Sequence, residues 1–177
     1  MNFLSFHLTQ IRIYRVDAGE NSDSYIKAAL GRDSESFGKD DLLLLKKGAP
    51  DLLLPCCSSV LEPSAEIAPL TEETRSRVAS LQESWAVRGQ RVLLLARKII
   101  KANGGDIPAG MTFDHALFGD TIQEVAMKGL TIVGMVGIVV KPFPFHAHGR
   151  TLRVRIFPMS LPSVGEPESD FLWSLGE

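Results

Sequence analysis

Three runs of apolar residues constrain the fold more strongly than any other feature of this chain. They span residues 42–45, 92–96 and 130–140. Runs of this kind are typical of strands that are buried on both faces of a sheet. The run at 130–140 is too short for a membrane-spanning helix, which needs about 20 residues, and its β-branched residues favour a central strand. With 177 residues and 45% hydrophobic content, the chain suits one domain, or one domain plus a tail.

The segments around these runs predict further elements. Residues 11–16 alternate apolar and polar side chains, which favours a strand with one solvent-facing side and a hairpin partner nearby. Pro50 can open a short helix, and Thr71 can cap a longer helix at 72–88 that Gly89 ends. We therefore predict an α+β fold, in which both helices cover one side of a mainly antiparallel sheet.

Composition excludes several classes of function. The chain has 19 Lys and Arg residues against 21 Asp and Glu residues, a net charge of -2, so nothing favours nucleic acid or an acidic membrane surface as a partner. The cysteines, Cys56 and Cys57, are adjacent and do not suit a mutual disulfide, which favours a reducing compartment. No CxxC pair supports structural zinc. We predict a cytoplasmic chain without metal and without direct membrane insertion.

The pentapeptide Lys47-Gly48-Ala49-Pro50-Asp51 is the clearest candidate for a binding site. It lies where a buried strand ends and a short helix begins. The lysine can reach a polar ligand, and the glycine lets a flat ring approach the main chain. The alternative is an ordinary strand end with an exposed lysine and a turn.

Four segments in order carry a family resemblance. They are LLLLKKGAPDLLLPCCSSVLEP, RGQRVLLLARK, IPAGMTFD and LTIVGMVGIV. Together they resemble P-type cation-transporting ATPases of the sodium/potassium and calcium pump branch, and the lead-in FGKDDLLLL is similar to fungal members. The resemblance covers the second half of the nucleotide-binding domain, at roughly residues 35–139, with an extension to residue 11 left open.

The resemblance implies an ATP site. Lys47 and Gly48 take the places that line the adenine pocket in this family, and Ala49 completes the motif. Arg91 matches the arginine that contacts the ribose and phosphates. These roles suit the side chains, because a lysine stem can pack on a ring and a guanidinium matches phosphate oxygens. ATP would enter as its magnesium complex, and no magnesium site is expected in the chain itself.

Several family motifs do not occur in this sequence. The phosphorylated aspartate of DKTGT, the TGES loop and the GDG segment have no counterpart, so we assign no catalytic residue and expect no ion pumping by this chain alone. After residue 139 the family continues with DPPR, whereas this chain continues with Val140-Lys141-Pro142-Phe143. We interpret residues 1–139 as a partial nucleotide-binding domain and 140–177 as a divergent, poorly ordered tail, as a truncated or mis-spliced gene model would give.

The ring-stacking aromatic of the site is not assigned. Phe3-Leu4-Ser5 is only a weak match to the FNS segment that supplies a phenylalanine in this family. Without stacking, which contributes on the order of 1 kcal/mol, we expect weak binding of adenine nucleotide. In the tail, His146 and His148 could hold a metal but fit a solvated segment better, and Arg150–155 fits an edge strand or frame-shifted sequence.

Three functions remain open. The first is an ATP-binding module of a cation pump, separated from the other pump domains. The second is a truncated or vestigial fragment that binds no nucleotide and serves as an interaction module. The third is a small independent enzyme, for which no set of nucleophile, base and oxyanion donors is evident.

The partial domain also has a consequence for stability. Missing sheet partners would leave exposed strand edges, so we expect marginal stability.

Overall fold

The computed structural model describes residues 9–15, 30, 37–62, 64–102, 104–140, 151–158 and 170–174. Within them, eight strands form one sheet, and three α-helices have described bounds. The strands are β1 (Thr9–Arg15), β2 (Leu42–Gly48), β3 (Cys57–Leu61), β4 (Ile67–Pro69), β5 (Arg91–Ile100), β6 (Leu130–Val140), β7 (Thr151–Pro158) and β8 (Asp170–Ser174). The helices are α1 (Pro50–Leu53), continued by a 3₁₀ turn at Leu54–Cys56, α2 (Glu72–Val87) and α3 (Phe118–Val125).

The sheet is mixed but mainly antiparallel, as predicted. Its order is β1-β2-β5-β6-β3-β4, and β7 pairs with both β6 and β8. Among the described pairings only β3 with β6 is parallel. Strand β6 has β5 along one side, while its other side meets β3 at residues 130–132 and β7 at residues 134–140. The α+β class is confirmed.

Helix α2 begins and ends as its sequence indicates. The Thr71 side-chain oxygen accepts a hydrogen bond from the Thr74 amide at 3.2 Å, which caps the helix. At the other end Gly89 has a φ of 73°. The amides of Gly89 and Gln90 donate to the carbonyls of Ala86 and Trp85, which is a Schellman motif. The predicted start and stop are confirmed.

The core lies between one face of the sheet and the helices. Val78 and Trp85 of α2 are fully buried, and they belong to one apolar cluster with Leu44, Leu94 and Met135 of the central strands. Because side chains alternate along a strand, Leu45 and Lys47 of β2 lie on the opposite face, which we call the open face. Arg97 lies on the same face and is buried where its guanidinium donates to the Leu30 carbonyl, so a ligand could reach this face at Leu45 and Lys47 and not along its whole length.

The strands differ from prediction in their length and number. Strand β2 runs through Lys47 and Gly48 because both residues pair with β1 and with β5, so the candidate motif lies inside the strand rather than after it. Strands β3 and β4 were not predicted. In the tail, β7 and β8 are described and the remaining residues are not, so poor order there stays a prediction. Among the described residues, no helix has the length and apolarity needed to cross a membrane.

Candidate functional site

Lys47 lies on the open face of the sheet in β2, the second strand of the sheet order. It lies opposite Gln10 of β1 on one side and Leu95 of β5 on the other. Its side chain is exposed, whereas the preceding Lys46 is only 4% exposed and points to the core. Because side chains alternate along the strand, Lys47 faces solvent and Lys46 faces the core.

A cavity of about 370 Å³ opens beside Lys47. Leu45 and Leu95 give it an apolar floor on the central strands. Three polar or aromatic side chains at alternate positions of β1 form its wall, since residues 10, 12 and 14 share one face of that strand. The lining residues are Gln10, Arg12, Tyr14, Leu45, Lys46, Lys47, Leu95, Ala96 and Val133.

The charge of the cavity is positive. Arg12 and Lys47 are cations, and the described lining includes no carboxylate. The ammonium of Lys46 is directed elsewhere, since it donates to the Ala126 carbonyl at 2.9 Å. A guanidinium, an ammonium and an amide above an apolar floor can hold a flat ring that carries an anionic group.

Strand β1 is anchored on the side opposite the cavity. Ile11 and Ile13 pack against the apolar core. At the end of the strand, the Arg15 guanidinium lies 5.0 Å from the centre of the Phe113 ring, a cation–π contact. These contacts hold the wall of the cavity at a defined register against β2.

The other predicted site residues lie outside this cavity. Gly48 is buried within β2, and Ala49 is the N-cap of α1, where its carbonyl accepts from the Leu53 amide at 3.0 Å. Arg91 is exposed at the start of β5 and faces the same side as Leu95. Four residues of strand separate Arg91 from Leu95, about 13 Å at 3.3 Å per residue. The structure thus places Lys47 in the cavity and Arg91 further along the same face.

Sequence reasoning missed Gln10, Arg12 and Tyr14. The alternation at residues 11–16 predicted a strand with one solvent-facing side, which was the available signal. It did not reveal that this strand pairs with β2, because the two strands are separated by residues 16–41. The pairing is what brings these side chains to Lys47.

Other candidate chemistry finds no support in the described structure. Cys56 and Cys57 are free and buried. Burial, together with the neighbouring Cys56, raises the pKa of Cys57 to about 12, so its thiol stays protonated at neutral pH. No cluster of metal-ligating side chains occurs in the part of the chain that is described. His146 and His148, like Phe3, lie outside it.

Comparison with known families gives the class of this protein. Residues 21–142 match the model of the P-type ATPase cytoplasmic domain N. The match covers more than half of the chain, and the chain belongs to this family. The matched segment includes Lys47 and Arg91, whereas β1 precedes it.

Two curated relatives are plant calcium pumps. The plasma membrane-type calcium-transporting ATPase 1 of Oryza sativa subsp. japonica is 37% identical over 97 residues, which are 54% of this chain and 9% of the relative. The plasma membrane-type calcium-transporting ATPase 4 of Arabidopsis thaliana is 30% identical over 98 residues, 54% of this chain and 10% of that protein. The chain therefore spans about a tenth of the length of these relatives. Placement in the sodium/potassium branch stays a prediction.

Proposed function

We propose that this chain is the nucleotide-binding module of a P-type cation-transporting ATPase, and that it binds an adenine nucleotide on the open face of the sheet. The observation that carries the proposal is the exposed Lys47 in a positive cavity with an apolar floor. The family and the relatives' names as calcium-transporting ATPases support the choice of ligand. Such a module would act on the cytoplasmic side.

The proposed contacts divide between the ring and the phosphates. The Lys47 stem packs along the edge of the adenine ring, while Gly48 is buried at the next position of β2, where it pairs with β1 and β5. Ala49 sets the turn into α1. The Arg91 guanidinium receives the phosphates about 13 Å further along the face, a separation that follows from the strand repeat. Magnesium would arrive with ATP, and the chain has no DKTGT aspartate to phosphorylate.

The proposal is tested by titrating the isotope-labelled chain with magnesium–ATP and following amide shifts by NMR. We expect shifts to cluster at Gln10, Lys47, Gly48 and Arg91, with a dissociation constant near the millimolar range. If no amide signal shifts at several millimolar ATP, the proposal is wrong and the interaction module is the better description.

Two lysine variants give a matched control. Lys47→Ala should weaken ATP binding about fivefold, since one charge-assisted contact contributes about 1 kcal/mol when exposed. Lys128→Ala removes an exposed lysine that does not line the cavity and should leave affinity unchanged. An equal loss in both variants would indicate attraction by overall charge instead of a site.

A further inference from the structure

A second cavity, of about 260 Å³, lies at the other end of β2 and on the other side of the sheet. Arg15 at the end of β1 pairs with Leu42 at the start of β2, and both residues line this cavity. Arg15 shares its side of β1 with Ile11 and Ile13, which pack against the core. Leu42 precedes Lys47 by five residues, about 17 Å along the strand. The second cavity is therefore separate from the candidate nucleotide site.

The floor of the second cavity is apolar and buried. Leu42, Ile107 and Phe118 are all at most 9% exposed and belong to the core cluster. Met111 packs against the same cluster from the loop between β5 and α3. An apolar cavity of about 150 Å³ can hold a benzene ring. The space here is thus large enough for a ring or a short hydrocarbon chain that carries a substituent.

The loop that walls the second cavity is held by its own contacts. The Asp106 carboxylate accepts a hydrogen bond from the Lys101 amide at 2.9 Å and pairs with the Lys98 ammonium at 3.2 Å. Further along the loop, the Met111 amide donates to the Pro108 carbonyl at 3.1 Å. Because the wall is already ordered, a ligand loses little affinity to ordering the chain.

Arg15 is the cation of the second cavity among its described lining residues. Its guanidinium carbon lies 5.0 Å from the centre of the Phe113 ring, and the rings of Phe113 and Phe118 are 4.9 Å apart. A guanidinium stacked on a ring keeps the N–H donors at its edge available, and these donors match the two oxygens of a carboxylate. Among the ion pairs between described residues, none uses Arg15. Arg15 can therefore receive an anionic group above an apolar floor.

Asp40 restricts the charge that the second cavity can accept. It lines the same cavity and is exposed. Its carboxylate would repel a second negative charge on a ligand. A phosphate monoester, which carries a charge near -2 at neutral pH, therefore fits less well than a group with a single negative charge.

We propose that the second cavity is a binding site for a small apolar monocarboxylate, that is, a ring or short hydrocarbon chain with one carboxylate group. The apolar part lies on Leu42, Ile107 and Phe118, and the carboxylate accepts hydrogen bonds from the Arg15 guanidinium. This site goes beyond the proposed function and does not depend on nucleotide binding.

The first experiment titrates the isotope-labelled wild-type chain with 3-phenylpropionate, 3-phenylpropanol or acetate and follows the signals by NMR. We expect 3-phenylpropionate to shift the methyl signals of Leu42, Ile107 and Met111, with a dissociation constant in the millimolar range. The alcohol keeps the ring without the charge and should bind about fivefold more weakly, since it loses a charge-assisted hydrogen bond. Acetate keeps the charge without the ring and should give no saturable shift at these residues.

The wild-type titrations can overturn the inference in three ways. If the alcohol binds as tightly as 3-phenylpropionate, the carboxylate is not recognised. If the shifts cluster at Lys47 and Leu95, the compound occupies the other cavity. If no signal from the second cavity shifts at tens of millimolar 3-phenylpropionate, this cavity is not a binding site.

A second experiment removes the charge at Arg15. Arg15→Met keeps a long apolar side chain that can pack on Phe113, so it should weaken 3-phenylpropionate about five- to tenfold and leave 3-phenylpropanol within about twofold of wild type. Arg88→Met is the matched control, because Arg88 is exposed beside the end of α2 and does not line the cavity. It should leave both affinities unchanged.

The comparison of the two compounds separates recognition from support of the fold. If Arg15→Met weakens both compounds equally, the arginine only maintains the shape of the cavity and its role as the carboxylate donor is wrong. If Arg15→Met does not fold, the wild-type titrations with the acid and the alcohol decide the question.

Discussion

Lys46 and Lys47 are neighbours in the chain that face opposite sides of the sheet. The Lys46 ammonium donates to the Ala126 carbonyl at 2.9 Å, at the C-terminal end of α3, where a cation also complements the helix dipole. Lys98 adds a second, longer contact of 3.4 Å to the Val125 carbonyl. Lys46 therefore joins the sheet to α3, which leaves Lys47 as the lysine available to a ligand.

Asp41 is a second charged residue that acts within the fold. Its carboxylate accepts hydrogen bonds from the Lys101 ammonium at 2.6 Å, the Gly38 amide at 2.7 Å and the Ala102 amide at 3.4 Å. Burial alone would raise the pKa of Asp41, but these donors outweigh it and the pKa falls below 3.8. The carboxylate joins the start of β2 to the end of β5.

We predict that Asp41→Asn lowers the free energy of unfolding at pH 7 by about 1–2 kcal/mol. The reason is that the amide side chain of asparagine lacks the negative charge to which these three donors bind. Since the pKa is lowered in the folded state, the contribution of Asp41 is present above the unfolded pKa and is lost as pH falls through the folded pKa. The difference in the free energy of unfolding between Asp41→Asn and wild type should therefore become smaller as the pH falls below about 4. Urea melts across this range measure it.

Asp114→Asn is the control for this prediction, since Asp114 is an exposed loop acid. The Asp114→Asn variant should have the same free energy of unfolding as wild type across this pH range. A difference between Asp41→Asn and wild type that stays constant down to pH 2 would show that the effect comes from packing and not from the charge.

At the scale of elements, the contact between α2 and β6 depends on the absence of a side chain at Gly137. A Cβ atom there would lie 2.9 Å from Trp85 Cε3 and 2.5 Å from the Gln90 side-chain oxygen. Trp85 is fully buried, so its ring has little room to move. The glycine lets the helix pack directly on the central strand.

Gly137→Ala should therefore destabilise the fold by about 1–3 kcal/mol, the range for overpacking a core. Gly119→Ala is the matched control, because Gly119 is exposed in α3 and a Cβ there would meet nothing within 4 Å. It should be neutral or stabilise by up to about 1 kcal/mol through helix propensity. Chemical melts of the two variants test this contrast, and equal stabilities would refute it.

The elements that carry strong local signals could be predicted from the sequence. Thr71 and Gly89 predicted where α2 begins and ends, and the three apolar runs predicted the positions of β2, β5 and β6. Strands β3 and β4 were missed because they are short and carry mixed side chains, and their pairing with β6 and with each other is a tertiary effect.

The candidate site was predictable only in part for a related reason. Lys47 stands out through its motif, and Arg91 is indicated by the family resemblance. Tyr14 belongs to a strand with little local specificity, and its place opposite Leu43 depends on the pairing of β1 with β2. The Arg75 guanidinium of α2 donates to the carbonyls of Leu54 and Cys57 at 3.0 and 2.9 Å, contacts that likewise depend on tertiary packing.

At the scale of the whole molecule, the side of β6 that β3 leaves open is covered by the tail. Strand β7 pairs with β6 over seven positions, from Gly134 opposite Pro158 to Val140 opposite Leu152. An unpaired stretch of this length would present a row of backbone donors and acceptors to other chains. The exposed edge predicted from the sequence is therefore not present at this part of β6.

We predict that a chain ending at Val140 is less stable than the full chain and associates with itself. The physical reason is the loss of the β7 backbone hydrogen bonds, which leaves the edge of β6 open for pairing between copies. Sedimentation at several concentrations and urea melts of both chains measure the two effects. Adding Val136→Lys to the shortened chain, on the open face of β6, should reduce the association by placing a charge on the edge strand. If the shortened chain stays monomeric with the urea midpoint of the full chain, β7 contributes nothing to the fold and residues 141–177 are dispensable.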